Sequence, residues 1–114
     1  MKRVVVTGAT GFLGGHTLRA LMAMEGVVPI ATCRTPSRLP ADFKGEVRQG
    51  DLRDPAYRDR VVRGADAVIH AGTWGAMYGH HEQERAWFYE PAVDLMERCI
   101  EHGVGRFLLA STVA

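Results

Sequence analysis

The sequence predicts an α/β fold: five parallel strands in the order 3-2-1-4-5, covered by helices on both faces. Three observations carry this. Short apolar runs alternate with stretches of helical spacing along the whole chain. A glycine-rich turn, "TGATGFLGG" at 7–15, joins the first apolar run to the first helical stretch. With 114 residues, 46% hydrophobic and 24% charged, the chain suits one domain spanning 1–114.

Each element has its own signal. Lys2 to Thr7 reads as a buried strand because three consecutive valines are bounded by glycine. From Gly11 onward Leu13, Thr17, Leu21 and Met24 recur at helical intervals, and Gly26 is a stop. "VVPIATCR" is the second strand, with Pro29 expected at or near its start because proline cannot donate to a ladder. "TPSRLPADFKG" is a loop that must still cross over if the strands are parallel, and "EVRQG" is the third strand. Asp54-Pro55 is an N-cap followed by proline at the first helical position, starting a helix that ends at Gly64. "ADAVIH" is the fourth strand and "AGTWGAMYGHH" a loop. Residues 82 to 102 read as helical, with a kink or break expected at Pro91 and a stop at Gly103, and "GRFLLAS" is the fifth strand. Right-handed crossovers between these parallel strands give the predicted order.

Composition narrows the function classes. A net charge of +1 with interspersed signs lacks the basic footprint of a nucleic-acid binder. No apolar run reaches the length of a membrane span, and the N-terminus opens on a strand pattern instead of a signal peptide. Cys33 and Cys99 make no disulfide framework, which suggests reduced thiols and a cytoplasmic setting. His80-His81 are adjacent and cannot share a helical face, and no ligand cluster accompanies them, so no metal site is expected. A P-loop is excluded because no Gly-Lys-Ser/Thr follows the glycines.

The glycines suggest a dinucleotide. A helix N-terminus at the carboxyl edge of a doubly wound sheet offers free N–H groups and a positive dipole end to phosphate. Gly8 would permit the tight turn, Gly11 would admit a pyrophosphate, and Gly14 would let the helix pack closely. About 20 positions on, where a carboxylate would bind ribose hydroxyls, stands Arg34. A guanidinium there, with Ser37 or Arg38 as helpers, favours NADP over NAD; the alternative is a solvent-exposed arginine. Asp51 in "GDLRD" could accept from an adenine amino group or simply stabilise its turn. Trp74, Met77 and Tyr78 could contact a substrate or anchor their loop.

"VVVTGATGFLG", "ATCRTPSRL", "GDLRDP", "ADAVIHAG" and "GVGRFLLAST" together resemble the extended short-chain dehydrogenase/reductase family, with its Rossmann-like fold, and within it the dihydroflavonol-reductase-like branch. The resemblance implies a pyrophosphate turn built from Gly8, Thr10, Gly11 and Gly14, with Phe12 and Leu13 donating backbone groups. It implies that Asp51 and Leu52 flank the adenine, that Ala71, Gly72 and Thr73 line the nicotinamide half, that Ser111 joins the cofactor set, and that Thr112 is the catalytic hydroxyl. NADP is the implied cofactor, with NAD as the alternative, and a small-molecule substrate or a homo-oligomer belongs to the full-length enzyme.

The departures are equally specific. The family's Tyr-x-x-x-Lys pair is missing: Tyr57, Tyr78 and Tyr89 are followed four positions later by Val61, Glu82 and Val93. Phe88 and Pro91 stand where relatives carry an "N-V-x-G-T" stretch. The expectation is therefore an N-terminal cofactor-binding part, its sheet incomplete on the C-terminal side. In a complete reductase, epimerase or dehydratase it would serve hydride transfer. A non-catalytic dinucleotide-binding sensor or interaction module is the alternative.

Overall fold

The computed structural model describes residues 1–72 and 89–110. It contains a five-stranded parallel sheet in the order β3-β2-β1-β4-β5, as predicted. The strands are β1 (Lys2–Thr7), β2 (Val27–Cys33), β3 (Glu46–Gln49), β4 (Ala67–His70) and β5 (Arg106–Leu109). The helices are α1 (Phe12–Met22), α2 (Pro55–Val62) and α3 (Glu90–Glu101).

The valines of β1 alternate between two cores. Val5 faces α2 and α3 with Ile30, Tyr57, Val61, Val68 and Leu95. Val4 and Val6 face α1 with Leu18, Leu21 and Ala31. The middle of a central strand buried on both faces cannot alternate polar and apolar residues, which is why Val4, Val5 and Val6 run consecutively in β1.

One sequence expectation needs correction. The stripe Leu13, Thr17, Leu21, Met24 is not the face that α1 buries; Gly14, Leu18 and Leu21 are buried, whereas Leu13 and Met24 are about half exposed. The close approach of Gly14 to the preceding turn sets this rotation, and Met24 lies beyond the helix end. Pro29 is the third residue of β2, opposite Val4, near the strand's start as expected. Its carbonyl points towards Gly45, just ahead of β3, whose pairing with β2 begins only at Ile30. The missing N–H points the same way, where no ladder has formed, so proline costs no hydrogen bond there.

The helix expected over 82–102 is described from Glu90, with Pro91 in its first turn, where a missing N–H is harmless. Residues 82–88 lie outside the described part.

The crossover between β2 and β3 uses a short 3-10 turn, Pro36–Arg38, followed by an irregular segment. Leu39 and Phe43 from that segment pack on the α1 side of the sheet and do a helix's work of covering it. Asp54 caps α2 by accepting from Ala56 N at 3.0 Å. Charge ties α2 to α3: the Asp94 carboxylate accepts from Arg58 Nε at 2.6 Å and Arg98 Nε at 2.7 Å. Asp59 accepts from Arg98 Nη1 at 3.2 Å and Arg63 Nη2 at 2.7 Å, and pairs with His102 Nε2 at 2.9 Å. β5 forms one edge of the sheet and leaves Leu108 57% and Leu109 42% exposed. No helix among the described residues is long and apolar enough to cross a membrane.

Candidate functional site

Strand order reverses between β1 and β4, and the chain leaves both strands at the same carboxyl edge. After β1 it turns through Gly8, whose φ of +63° is a left-handed conformation natural to glycine. A Cβ on Gly8 would also lie 2.7 Å from both the N and Cα of Gly72, so the turn rests backbone to backbone on the end of β4. A Cβ on Gly14 would lie 2.0 Å from the Gly8 carbonyl oxygen, which is why α1 can start so close to the turn.

Gly11 is different. Among the described residues a Cβ there would meet only the Gly8 oxygen, at 3.4 Å, an ordinary contact. Packing among the described residues explains Gly8 and Gly14 and gives no such reason for Gly11.

Gly11 is also the N-cap of α1, with extended backbone, no side-chain cap and no acidic residue in the first helical turn. The N–H groups of Phe12, Leu13 and Gly14 lie in the turn where no intrahelical acceptor exists. Phe12 is 85% exposed, stacked edge-on against His16 with ring centroids 4.6 Å apart. Beside this helix start lies a cleft of about 360 Å³, lined by Thr10, Gly11, Phe12, His16, Arg19 and Arg38 among others.

Arg34 follows β2 directly and is exposed, its carbonyl held by Gln49 Nε2 at 3.2 Å. Neither the Arg34 nor the Arg38 guanidinium forms an ion pair among the described residues. Asp51, after β3, does have a partner: Arg53 donates its backbone N at 2.9 Å and its guanidinium at 2.7 Å. Those bonds from Arg53 hold the Asp51 carboxyl below its usual range, helped by the positive field of Arg34. Asp51 therefore builds its own turn, each carboxylate oxygen accepting twice from Arg53. Arg58, only 9% exposed, donates to the Leu52 carbonyl at 2.7 Å and so ties this loop to the α2–α3 charge network.

At the end of β4, Ala71 and Gly72 both donate N–H to Thr7 Oγ1 at 3.0 Å. Thr7 Oγ1 also lies 2.6 Å from His70 Nδ1. Burial pushes the His70 imidazole down to a pKa of about 4. The sequence marks His70 only as the last residue of the fourth strand, "ADAVIH", and does not join it to Thr7. The available signal was a threonine and a histidine ending the two strands that flank the order reversal. Thr73, Ser111 and Thr112 lie outside the described residues, as do Trp74, Met77 and Tyr78. Gly8, Thr10, Gly11, Phe12, Leu13, Gly14, Arg34, Asp51, Leu52, Ala71 and Gly72 all follow the carboxyl ends of the first four strands, on one edge of the sheet.

Residues 8–114 match a family model described as NAD(P)H-binding. The chain is 32% identical over 114 residues to the 2-alkyl-3-oxoalkanoate reductase of Stenotrophomonas maltophilia (strain K279a), covering 96% of this chain and 33% of that protein. It is 45% identical over 69 residues to the ceramide reductase of Caulobacter vibrioides (strain NA1000 / CB15N), covering 59% of this chain and 22% of that protein. The chain thus spans a third or less of the length of these relatives. Among solved structures, a short-chain dehydrogenase/reductase superfamily protein from Agrobacterium tumefaciens with bound NAD superposes with a TM-score of 0.81 at 25% identity, over 96% of this chain and 32% of that one. Uronate dehydrogenase from the same organism superposes with a TM-score of 0.77 at 30% identity, over 98% of this chain and 41% of that one.

Proposed function

The chain belongs to the NAD(P)H-binding family, among the extended short-chain dehydrogenase/reductases, and we propose that it is the NADP-preferring cofactor domain of a longer reductase, epimerase or dehydratase. One observation carries the dinucleotide reading. Gly11 caps a helix start that lacks a side-chain cap and an acid, and its missing Cβ is required by no contact among the described residues. That is what a pyrophosphate needs from a backbone it must touch.

The residues present fit the cofactor. The backbone N–H groups at Phe12 and Leu13 would take the phosphate oxygens, and Ala71 and Gly72 would flank the nicotinamide half. Arg34 and Arg38, free of carboxylate partners among the described residues, would take a 2′-phosphate by charge-assisted hydrogen bonds, and Asp51 and Leu52 would flank the adenine. Thr73 and Ser111 would complete the cofactor set. Bound NADP would supply hydride exchange with a carbinol or carbonyl carbon. Thr112 would hydrogen-bond the substrate oxygen, while the proton donor would come from beyond this sequence.

The test is the ratio of NADPH to NADH affinity, measured by titration calorimetry. The expected result is an NADPH preference of about tenfold to a hundredfold, the worth of one charge-assisted contact. Arg34→Asp should invert it, because a carboxylate repels the 2′-phosphate and accepts from ribose hydroxyls. An unchanged ratio would show that Arg34 does not read the phosphate.

A further inference from the structure

Thr7 and His70 are buried at 0% and 2% exposure, at the ends of β1 and β4. Three groups converge on one hydroxyl oxygen: Ala71 N and Gly72 N at 3.0 Å each and His70 Nδ1 at 2.6 Å. A hydroxyl has two lone pairs and one proton. Backbone N–H groups can only donate, so the two of them fill both lone pairs. The hydroxyl proton must then go to Nδ1, which therefore carries none, and the neutral ring holds its proton on Nε2. The hydrogen-bond count alone fixes the tautomer.

The consequence reaches the candidate site. Residues 71 and 72 wrap over the Thr7 hydroxyl, and Gly72 presses against Gly8 closely enough that a Cβ on either would lie within 3.3 Å of the other's backbone. His70 bears on this edge through the Thr7 hydroxyl. Its acceptor nitrogen aims the Thr7 proton away from the 71–72 backbone, and so keeps both lone pairs aimed at it.

We propose that His70 is a positioning residue for the dinucleotide site: as a neutral acceptor it orients the Thr7 hydroxyl, which holds the Ala71–Gly72 backbone against the Gly8 turn. The inference rests on the dinucleotide reading above and adds to it a residue behind the site.

The test uses the full chain and two pairs of variants. In His70→Asn the amide oxygen can take the place of Nδ1 and accept the same proton, whereas His70→Leu fills similar space without an acceptor. Thr7→Ser keeps the hydroxyl, and Thr7→Val keeps the shape without it. Each is titrated with NADPH and with adenosine 2′,5′-bisphosphate, which lacks the nicotinamide half. The Asn and Ser variants should bind both ligands within about threefold of the unaltered chain. The Leu and Val variants should lose tenfold or more in NADPH affinity while holding the bisphosphate within about threefold. Wild-type NADPH affinity in His70→Leu would overturn the proposal, as would equal losses for the two ligands, which a merely structural role would produce. Failure of the unaltered chain to bind either ligand would instead sink the dinucleotide reading. Should the Leu variant not fold, heteronuclear NMR of the unaltered His70 ring decides: a proton on Nε2 supports the proposal and one on Nδ1 refutes it.

Discussion

Two glycines three residues apart should fail in opposite ways when given a methyl group. In Gly14→Ala the new carbon would sit 2.0 Å from the Gly8 carbonyl oxygen and 2.6 Å from its carbon, far inside any real contact. These are backbone atoms and cannot rotate aside, so α1 must move off the turn. Overpacking of this kind costs about 1–3 kcal/mol, and rigid neighbours put this site at the upper end or beyond. Alanine's better helix propensity returns about 1 kcal/mol, leaving a net loss of about 2 kcal/mol. In Gly11→Ala the carbon meets one oxygen at 3.4 Å, with φ −82° and ψ 175° open to any residue. The weaker N-cap costs about 0.5–1 kcal/mol, and the stiffer unfolded chain returns about 0.4–1 kcal/mol. Stability should therefore stay within about 0.5 kcal/mol.

Binding should separate the pair further. A Cβ at 11 stands where a phosphate oxygen must approach the α1 N–H groups. One charge-assisted hydrogen bond lost is about 1.5–3 kcal/mol, or about tenfold to a hundredfold in affinity. Urea denaturation with calorimetric titration of NADPH reads both quantities on the same samples, and Gly11→Val should deepen the binding defect. The reasoning fails if Gly11→Ala and Gly11→Val bind NADPH like the unaltered chain. It fails equally if Gly11→Ala destabilises as much as Gly14→Ala.

Two further outcomes follow from burial and charge. Leu95, fully buried between α3 and the sheet, should cost about 2–5 kcal/mol when cut to alanine, read as a lower urea midpoint at constant slope. Acid should weaken the fold in two stages. His70 is depressed to about 4 by burial, so the unfolded chain binds its proton first; that stabilisation is complete above the ordinary value of 6.5 and is lost as pH falls through about 4. Asp59 is depressed to about 2 by hydrogen bonds from His102 and Arg63; its contribution is present above 3.8 and is lost as pH falls through about 2. Melting temperatures across this range should flatten in the upper window for His70→Asn and in the lower one for Asp59→Asn.

What the sequence determined by itself was the part of the fold written in local chemistry. The valine run before Gly8, the Asp54-Pro55 helix start, and the stops at Gly64 and Gly103, both left-handed at φ +72°, each depend on neighbours within a few positions. The strand order followed from these because parallel crossovers have one preferred hand. Arg34 and Asp51 could be singled out because their distance from the glycine turn is itself a sequence property.

Tertiary structure alone decided which way α1 faces, since Gly14 must meet the Gly8 carbonyl and so turns Leu13 outward. It also decided why Pro29 is tolerated inside a strand: that depends on how far β3 extends alongside it. Most of all, it joined Thr7 to His70 across 63 positions, and Asp59 to His102 across 43. Periodicity reports which face of an element is buried. It is silent on which two elements lie side by side, and a hydrogen bond between strand ends exists only once the sheet has set them there.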